Sequence, residues 1–170
     1  GNNDTFVGGN GTDTIILSTG THALTNDSKI ATIENIQTDN AGSIVSLAGQ
    51  AEAFTITGGD AADTITGGSG GDTISSGGGA DILNGGVGDD TITGGSGSDV
   101  YIYRSQSDSP VGAGDIIKGY EENEQFDISA LTSTFNIVPS FTGGSTPEVT
   151  YNSNTKLLQL DLDSDASADM

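Results

Sequence analysis

The chain has 170 residues, of which only 32% are hydrophobic and 27 are glycine, which excludes a thick conventional core. Four Lys and Arg stand against 24 Asp and Glu, a formal charge of -20, and Lys29, Arg104, Lys118 and Lys156 are scattered singly, which excludes nucleic acid and anionic membrane surfaces as partners. With no Cys and one His, the available metal ligands are carboxylates, carbonyls and hydroxyls, so a hard divalent cation, calcium first, is expected to offset the charge.

No Cys means no disulfide framework. No apolar stretch is long enough to span a bilayer, and the first residues lack the charged and apolar regions of a signal peptide. The start in mid-repeat and the stop inside an acidic motif lead us to expect a piece of a longer protein.

The chain opens with a short repeat block over residues 1–16. An incomplete unit holds Asp4 and Phe6, and GGNGTDTII follows with Asp13 and Ile15. Residues 17–57 then interrupt the repeats with short apolar stretches, Ile30, Ile33 and Ile36, then Ile44, Val45 and Leu47, separated by polar turns. They read as further β coils without a metal loop, or as a separate small β layer. Phe54 stands in frame where an aspartate is due, which predicts a turn that continues the stack and binds no metal.

The main run begins at Gly58. Cutting every nine residues gives GGDAADTIT, GGSGGDTIS, SGGGADILN, GGVGDDTIT and GGSGSDVYI, ending at Ile102. Asp63, Asp72, Asp81, Asp90 and Asp99 hold the sixth position, and Ile65, Ile74, Leu83, Ile92 and Tyr101 the eighth. The glycines allow a tight turn with carbonyls facing inward. The carboxylate adds charged ligands, and the stretch around position eight is extended with its apolar residue pointing into the stack. A flexible Gly/Asp/Ser/Thr linker would share this composition but not its phase. Ala61 replaces a fourth-position glycine and Ser76 a leading one, so those two loops are expected to be strained or less tightly closed.

After Tyr103 the glycine density falls. Apolar stretches at 135–138, 149–151 and 157–162 lead to Asp161, Asp163, Asp165 and Asp169, a D-x-D-x-D-x-x-x-D pattern close to an acidic calcium loop but with Ala166 where a glycine usually turns the chain. It reads either as a separate metal site or as a solvated acidic strand end.

The pattern G-G-x-G-x-D-x-U-x resembles the RTX (repeats-in-toxin) calcium-binding nonapeptide family. The resemblance implies an all-β fold, a right-handed parallel β-roll in which calcium lies between loops of the same side. Repeat n then faces n+2, pairing Asp63 with Asp81, Asp72 with Asp90, and Asp81 with Asp99, about three sites of 6–8 oxygens each. The loop positions that would complete these shells are Gly58, Asp60, Gly67, Ser69, Gly78, Gly85, Val87, Gly94 and Ser96, with Asp4 and Asp13 serving the opening block. The stretch Thr32-Ile33-Glu34-Asn35-Ile36 resembles inserts of RTX adhesins and surface-layer proteins. Residues 103–170 resemble the β cap that follows the roll in secreted serralysin-type proteases.

Two catalytic patterns carry no chemistry. Gly67-Gly68-Ser69-Gly70-Gly71 satisfies G-x-S-x-G, but Ser69 sits in a repeat loop and the only histidine, His22, precedes it. There is no H-E-x-x-H zinc motif. No enzyme is expected in these residues. Tyr101, Tyr103 and Tyr120 are expected to close the end of the roll rather than to bind sugars.

The resemblance implies a calcium-binding folding module of a secreted bacterial protein exported by type I machinery. Two alternatives stay open: a calcium-dependent assembly or adhesion module with self-association or cell-surface partners, and the accessory domain of a secreted enzyme whose catalytic part lies upstream.

Overall fold

The computed structural model describes residues 6–25, 30–109, 114–121, 123–130, 136–137, 148–152 and 157–161. Its strands are β1 (Phe6–Val7), β2 (Thr14–Leu17), β3 (Gly20–Ala23), β4 (Ile30–Ala31), β5 (Asn35–Thr38), β6 (Ser43–Ser46), β7 (Thr55–Thr57), β8 (Thr64–Thr66) and β9 (Thr73–Gly78). They continue as β10 (Ile82–Asn84), β11 (Thr91–Ser96), β12 (Val100–Ile102), β13 (Ile116–Lys118), β14 (Gln125–Asp127), β15 (Asn136–Ile137), β16 (Glu148–Asn152) and β17 (Leu157–Asp161).

From β5 to β14 successive strands alternate between two sheets, while β1 and β4 pair apart from them. One sheet runs β14-β12-β10-β8-β6-β3 and the other β15-β16-β17-β13-β11-β9-β7-β5-β2, with every pair from β2 to β14 parallel. The fold is therefore an all-β parallel roll. Each nonapeptide supplies one strand and one loop, which brings repeat n+2 directly over repeat n. The register says so: Ile56 pairs with Ile74 and Ile74 with Ile92, while Ile65 pairs with Leu83 and Leu83 with Tyr101.

The core is two columns of inward side chains. Ile15, Ile36, Ile56, Ile74, Ile92 and Ile117 stack down one sheet, and Val45, Ile65, Leu83 and Tyr101 down the other, all buried. Strand alternation turns their neighbours outward, which is why threonine so often flanks isoleucine here. Each buried aliphatic side chain contributes about 1.5–3 kcal/mol. The core is one side chain thick per sheet, so something besides apolar burial must hold the loops.

The segments 20–23, 35–38 and 43–46 enter the same two sheets, and their coils are longer than two nonapeptides: Ile15 pairs with Ile36, and Thr21 with Ile44. After the repeats, β13 and β14 add another parallel coil by a still longer connection, with Ile117 opposite Ile92 and Phe126 opposite Tyr101. Then the direction changes: β17 joins β13 antiparallel, with Ile117 opposite Leu158, and β16 pairs antiparallel with β17. An antiparallel strand laid on the last parallel one satisfies an edge that would otherwise present unpaired amides and carbonyls.

Aromatic rings fill this end of the roll. Phe126 lies 5.2 Å from Tyr101, 5.4 Å from Tyr120 and 6.4 Å from Tyr103 between ring centroids. Tyr101 and Tyr103 are fully buried, so they close the stack instead of presenting a binding stripe. His22 lies half-buried on β3, its Nε2 2.6 Å from the Ser18 carbonyl oxygen.

Candidate metal centre

The sixth-position aspartates are the most buried charged groups of the repeats: Asp63, Asp72, Asp81, Asp90 and Asp99 are all 2% exposed or less. Ionised carboxylates do not enter a protein interior without partners. Part of the compensation is a ladder of charge-assisted bonds from one coil to the next. The N–H of Asp63 donates to Asp81 Oδ1 at 2.7 Å, that of Asp72 to Asp90 Oδ1 at 2.7 Å, and that of Asp81 to Asp99 Oδ1 at 2.9 Å. The structure thus brings together the three aspartate pairs expected from the two-repeat spacing.

The second carboxylate oxygen divides the loops into two kinds. In the first two repeats it accepts the N–H of the second glycine of its own loop, Gly59 to Asp63 Oδ2 at 3.1 Å and Gly68 to Asp72 Oδ2 at 2.9 Å. In the next three, Gly77, Gly86 and Gly95 take left-handed φ values of 101, 102 and 97°, and the Oδ2 atoms of Asp81, Asp90 and Asp99 are buried without a partner. Gly9 in the opening block has φ 115°, and Asp13 Oδ2 is likewise buried and unpartnered. A second-position glycine in this conformation, which a Cβ disfavours, goes with a carboxylate oxygen left free.

Burial with too few donors raises the carboxyls' proton affinity. Asp72 and Asp81 are pushed above the usual range by burial, and Asp90 is pushed up to about 7 by burial with Asp72 and Asp89 nearby. These groups call for positive charge. Among the described residues no three carboxylate or imidazole groups gather at one point. Any cation held here would take two carboxylates and complete its shell with carbonyls, a donor set that suits calcium.

The glycines keep the loops close enough for that. A Cβ on Gly67 would overlap the Gly85 carbonyl and Asp72 Oδ2, and one on Gly58 the Ser76 carbonyl and Asp63 Oδ2. Gly85 and Gly94 stand in the same way against Asp90 Oδ2 and Asp99 Oδ2. At the third position, Gly78 is half-buried, while Asp60, Ser69, Val87 and Ser96 are exposed. Ser76 does not loosen its loop as expected. It is fully buried and its Oγ donates to the Gly94 carbonyl at 2.7 Å, bridging loops 76–81 and 94–99.

The ladder also recruits acidic residues outside the nonapeptides. Asp13 N–H donates to Glu34 Oε2 at 2.8 Å, and Thr32, the one described non-glycine residue with positive φ (59°), lays its carbonyl over Gly8. Asp90 N–H donates to Asp115 Oδ1 at 2.9 Å. Glu124 accepts the Tyr101 hydroxyl at 3.1 Å, while the Gly94 N–H reaches that hydroxyl at 3.1 Å. Sequence reasoning missed Glu34, Asp115 and Glu124. The signal was there as an acid two residues before an inward apolar one, in Glu34-Asn35-Ile36, Asp115-Ile116-Ile117 and Glu124-Gln125-Phe126, but without the G-G-x-G run to mark it. Where no acid stands, Phe54 N–H donates to Asp72 Oδ1 at 2.7 Å, so the coil stacks all the same.

Asp4, Asp163, Asp165 and Asp169 lie outside the described residues; Asp161 ends β17, and its side chain is not described.

A parallel roll with glycine loops stacked two repeats apart and aspartates facing across them defines a calcium-repeat protein. The comparison with family models agrees: the RTX calcium-binding nonapeptide repeat matches in four copies, over residues 1–21, 55–83, 66–101 and 75–109. The chain thus carries RTX repeats, and calcium is the metal of those repeats. No curated protein matches it.

Proposed function

We propose that this chain is a calcium-triggered folding and stability module of a secreted protein. The observation that carries the reading is the set of buried, unpartnered oxygens on Asp81, Asp90 and Asp99. An apolar core one residue thick cannot offset these charges, whereas a cation that binds the stacked loops and hardly the open chain turns its binding free energy into folding free energy. Extracellular calcium modules commonly have dissociation constants of about 10⁻⁴–10⁻³ M. At cytosolic calcium the chain would stay open, a form suited to export through type I machinery, and outside it would close.

Calcium titration of the chain followed by far-ultraviolet circular dichroism tests this. A cooperative rise of β signal near millimolar calcium is expected, reversed by chelator. The same β signal in calcium and in chelator would refute it.

A further inference from the structure

The acidic ladder does not end with the last nonapeptide. Asp90 N–H donates to Asp115 Oδ1 at 2.9 Å and Ile116 N–H to the Asp90 carbonyl at 2.7 Å. The same two bonds join Asp72 to Asp90: Asp72 N–H to Asp90 Oδ1 at 2.7 Å, and Thr91 N–H to the Asp72 carbonyl at 2.8 Å. Asp115 therefore stands to Asp90 as Asp90 stands to Asp72, although the connection within the first pair is the longer one.

Both carboxylates are 1% exposed, and Asp90 Oδ2 has no hydrogen-bond partner. Asp115 is held in place on two sides: its N–H donates to Ser109 Oγ at 3.0 Å, and its Oδ2 accepts the Tyr103 hydroxyl at 3.0 Å. Lys118 and Arg104, the nearest basic residues in sequence, are both exposed. Two buried carboxylates one coil apart, with no ion pair to a basic side chain among the described residues, favour a proton or a hard cation, and the side chains bonded to Asp115 offer oxygen donors.

We infer that Asp90 and Asp115 form a further calcium-binding pair, one coil beyond the nonapeptide run. It rests on the calcium reading above but adds a ligand that the repeat pattern does not contain. Tyr103 and Ser109 hold Asp115 in position.

Calcium bound per chain, counted by equilibrium dialysis at saturation, tests it on the full chain and on Asp115→Asn. Asparagine keeps the Oδ1 acceptor for Asp90 N–H and removes the charge. The expected result is loss of one ion per chain with the β signal retained; equal counts would overturn the inference. If Asp115→Asn does not regain β signal, terbium decides with the wild-type chain and Tyr103→Phe. A drop in tyrosine-sensitised terbium emission in the variant is expected, and unchanged emission would overturn the pair. A wild-type chain that takes up no calcium at all would instead sink the calcium reading itself.

Discussion

Asp81 Oδ1 accepts the main-chain N–H of Asp63 at 2.7 Å, one full coil back, while the N–H of Asp81 donates to Asp99 one coil ahead. One residue therefore serves two rungs of the same ladder. Its other oxygen is buried and free. Sequence period and backbone bonding meet at this residue, where calcium is proposed to bind.

Replacing Asp81 by Ala should cost more than replacing Asp63. Loss of the Asp81 side chain leaves the buried Asp63 N–H without its acceptor, at about 1–3 kcal/mol, and also removes a free carboxylate oxygen. Asp63→Ala also orphans buried amides, those of Ser43 and Gly59, but it removes no free oxygen, so the difference between the two variants lies in calcium. Calcium titrations of the two variants should show the larger rise in midpoint for Asp81→Ala; equal midpoints would contradict the division of the loops.

Gly97→Ala should destabilise the calcium-loaded roll more than Gly9→Ala. Both glycines have positive φ, 139 and 115°, so both variants carry the backbone cost of about 1–2 kcal/mol. A Cβ on Gly97 would also overlap the Gly79 carbonyl, whereas one on Gly9 meets nothing within 4 Å. Thermal unfolding in excess calcium measures the difference.

Much of this was legible in the residues. Aspartate and isoleucine in fixed phase over 58–102 marked the inner column, and the resemblance to RTX repeats supplied the two-repeat register and the aspartate pairs. The coils at 35–46 and 116–127 reach the same sheets by connections of varying length, Ile15 to Ile36, Thr21 to Ile44 and Ile92 to Ile117, so no period announces them. Nor does the sequence separate Asp72 from Asp90. Both follow G-G-x-G, and the difference lies in Gly86 turning to positive φ where Gly68 does not.

Tyr101→Phe should keep the ring stack on Phe126 and lose the hydroxyl that joins Gly94 N–H to Glu124. Leaving buried polar groups unsatisfied costs about 1–3 kcal/mol. Denaturant unfolding in calcium should report a loss of that size, with the near-ultraviolet aromatic signal of the folded state retained.

Acid should favour the metal-free fold. Burial raises Asp90 to about 7 and Asp115 to about 8, well above their ordinary value of 3.8. The folded chain therefore binds more protons than the open one between the ordinary and the raised values, and its stability falls as pH rises through that window. Calcium-free samples should show more β signal at mildly acidic than at mildly alkaline pH, and the reverse order would contradict the burial of these carboxyls. Calcium affinity should change in the opposite sense, weakening in acid as protons compete for the same oxygens.

The central proposal is that calcium between successive loops closes the roll. Crystals grown in calcium, with anomalous diffraction to locate the metal, test it most directly. The expected result is a peak between loops 76–81 and 94–99 in contact with Asp81 Oδ2. An ordered roll with no peak there, and with Asp81 bonded only to amides, would contradict it.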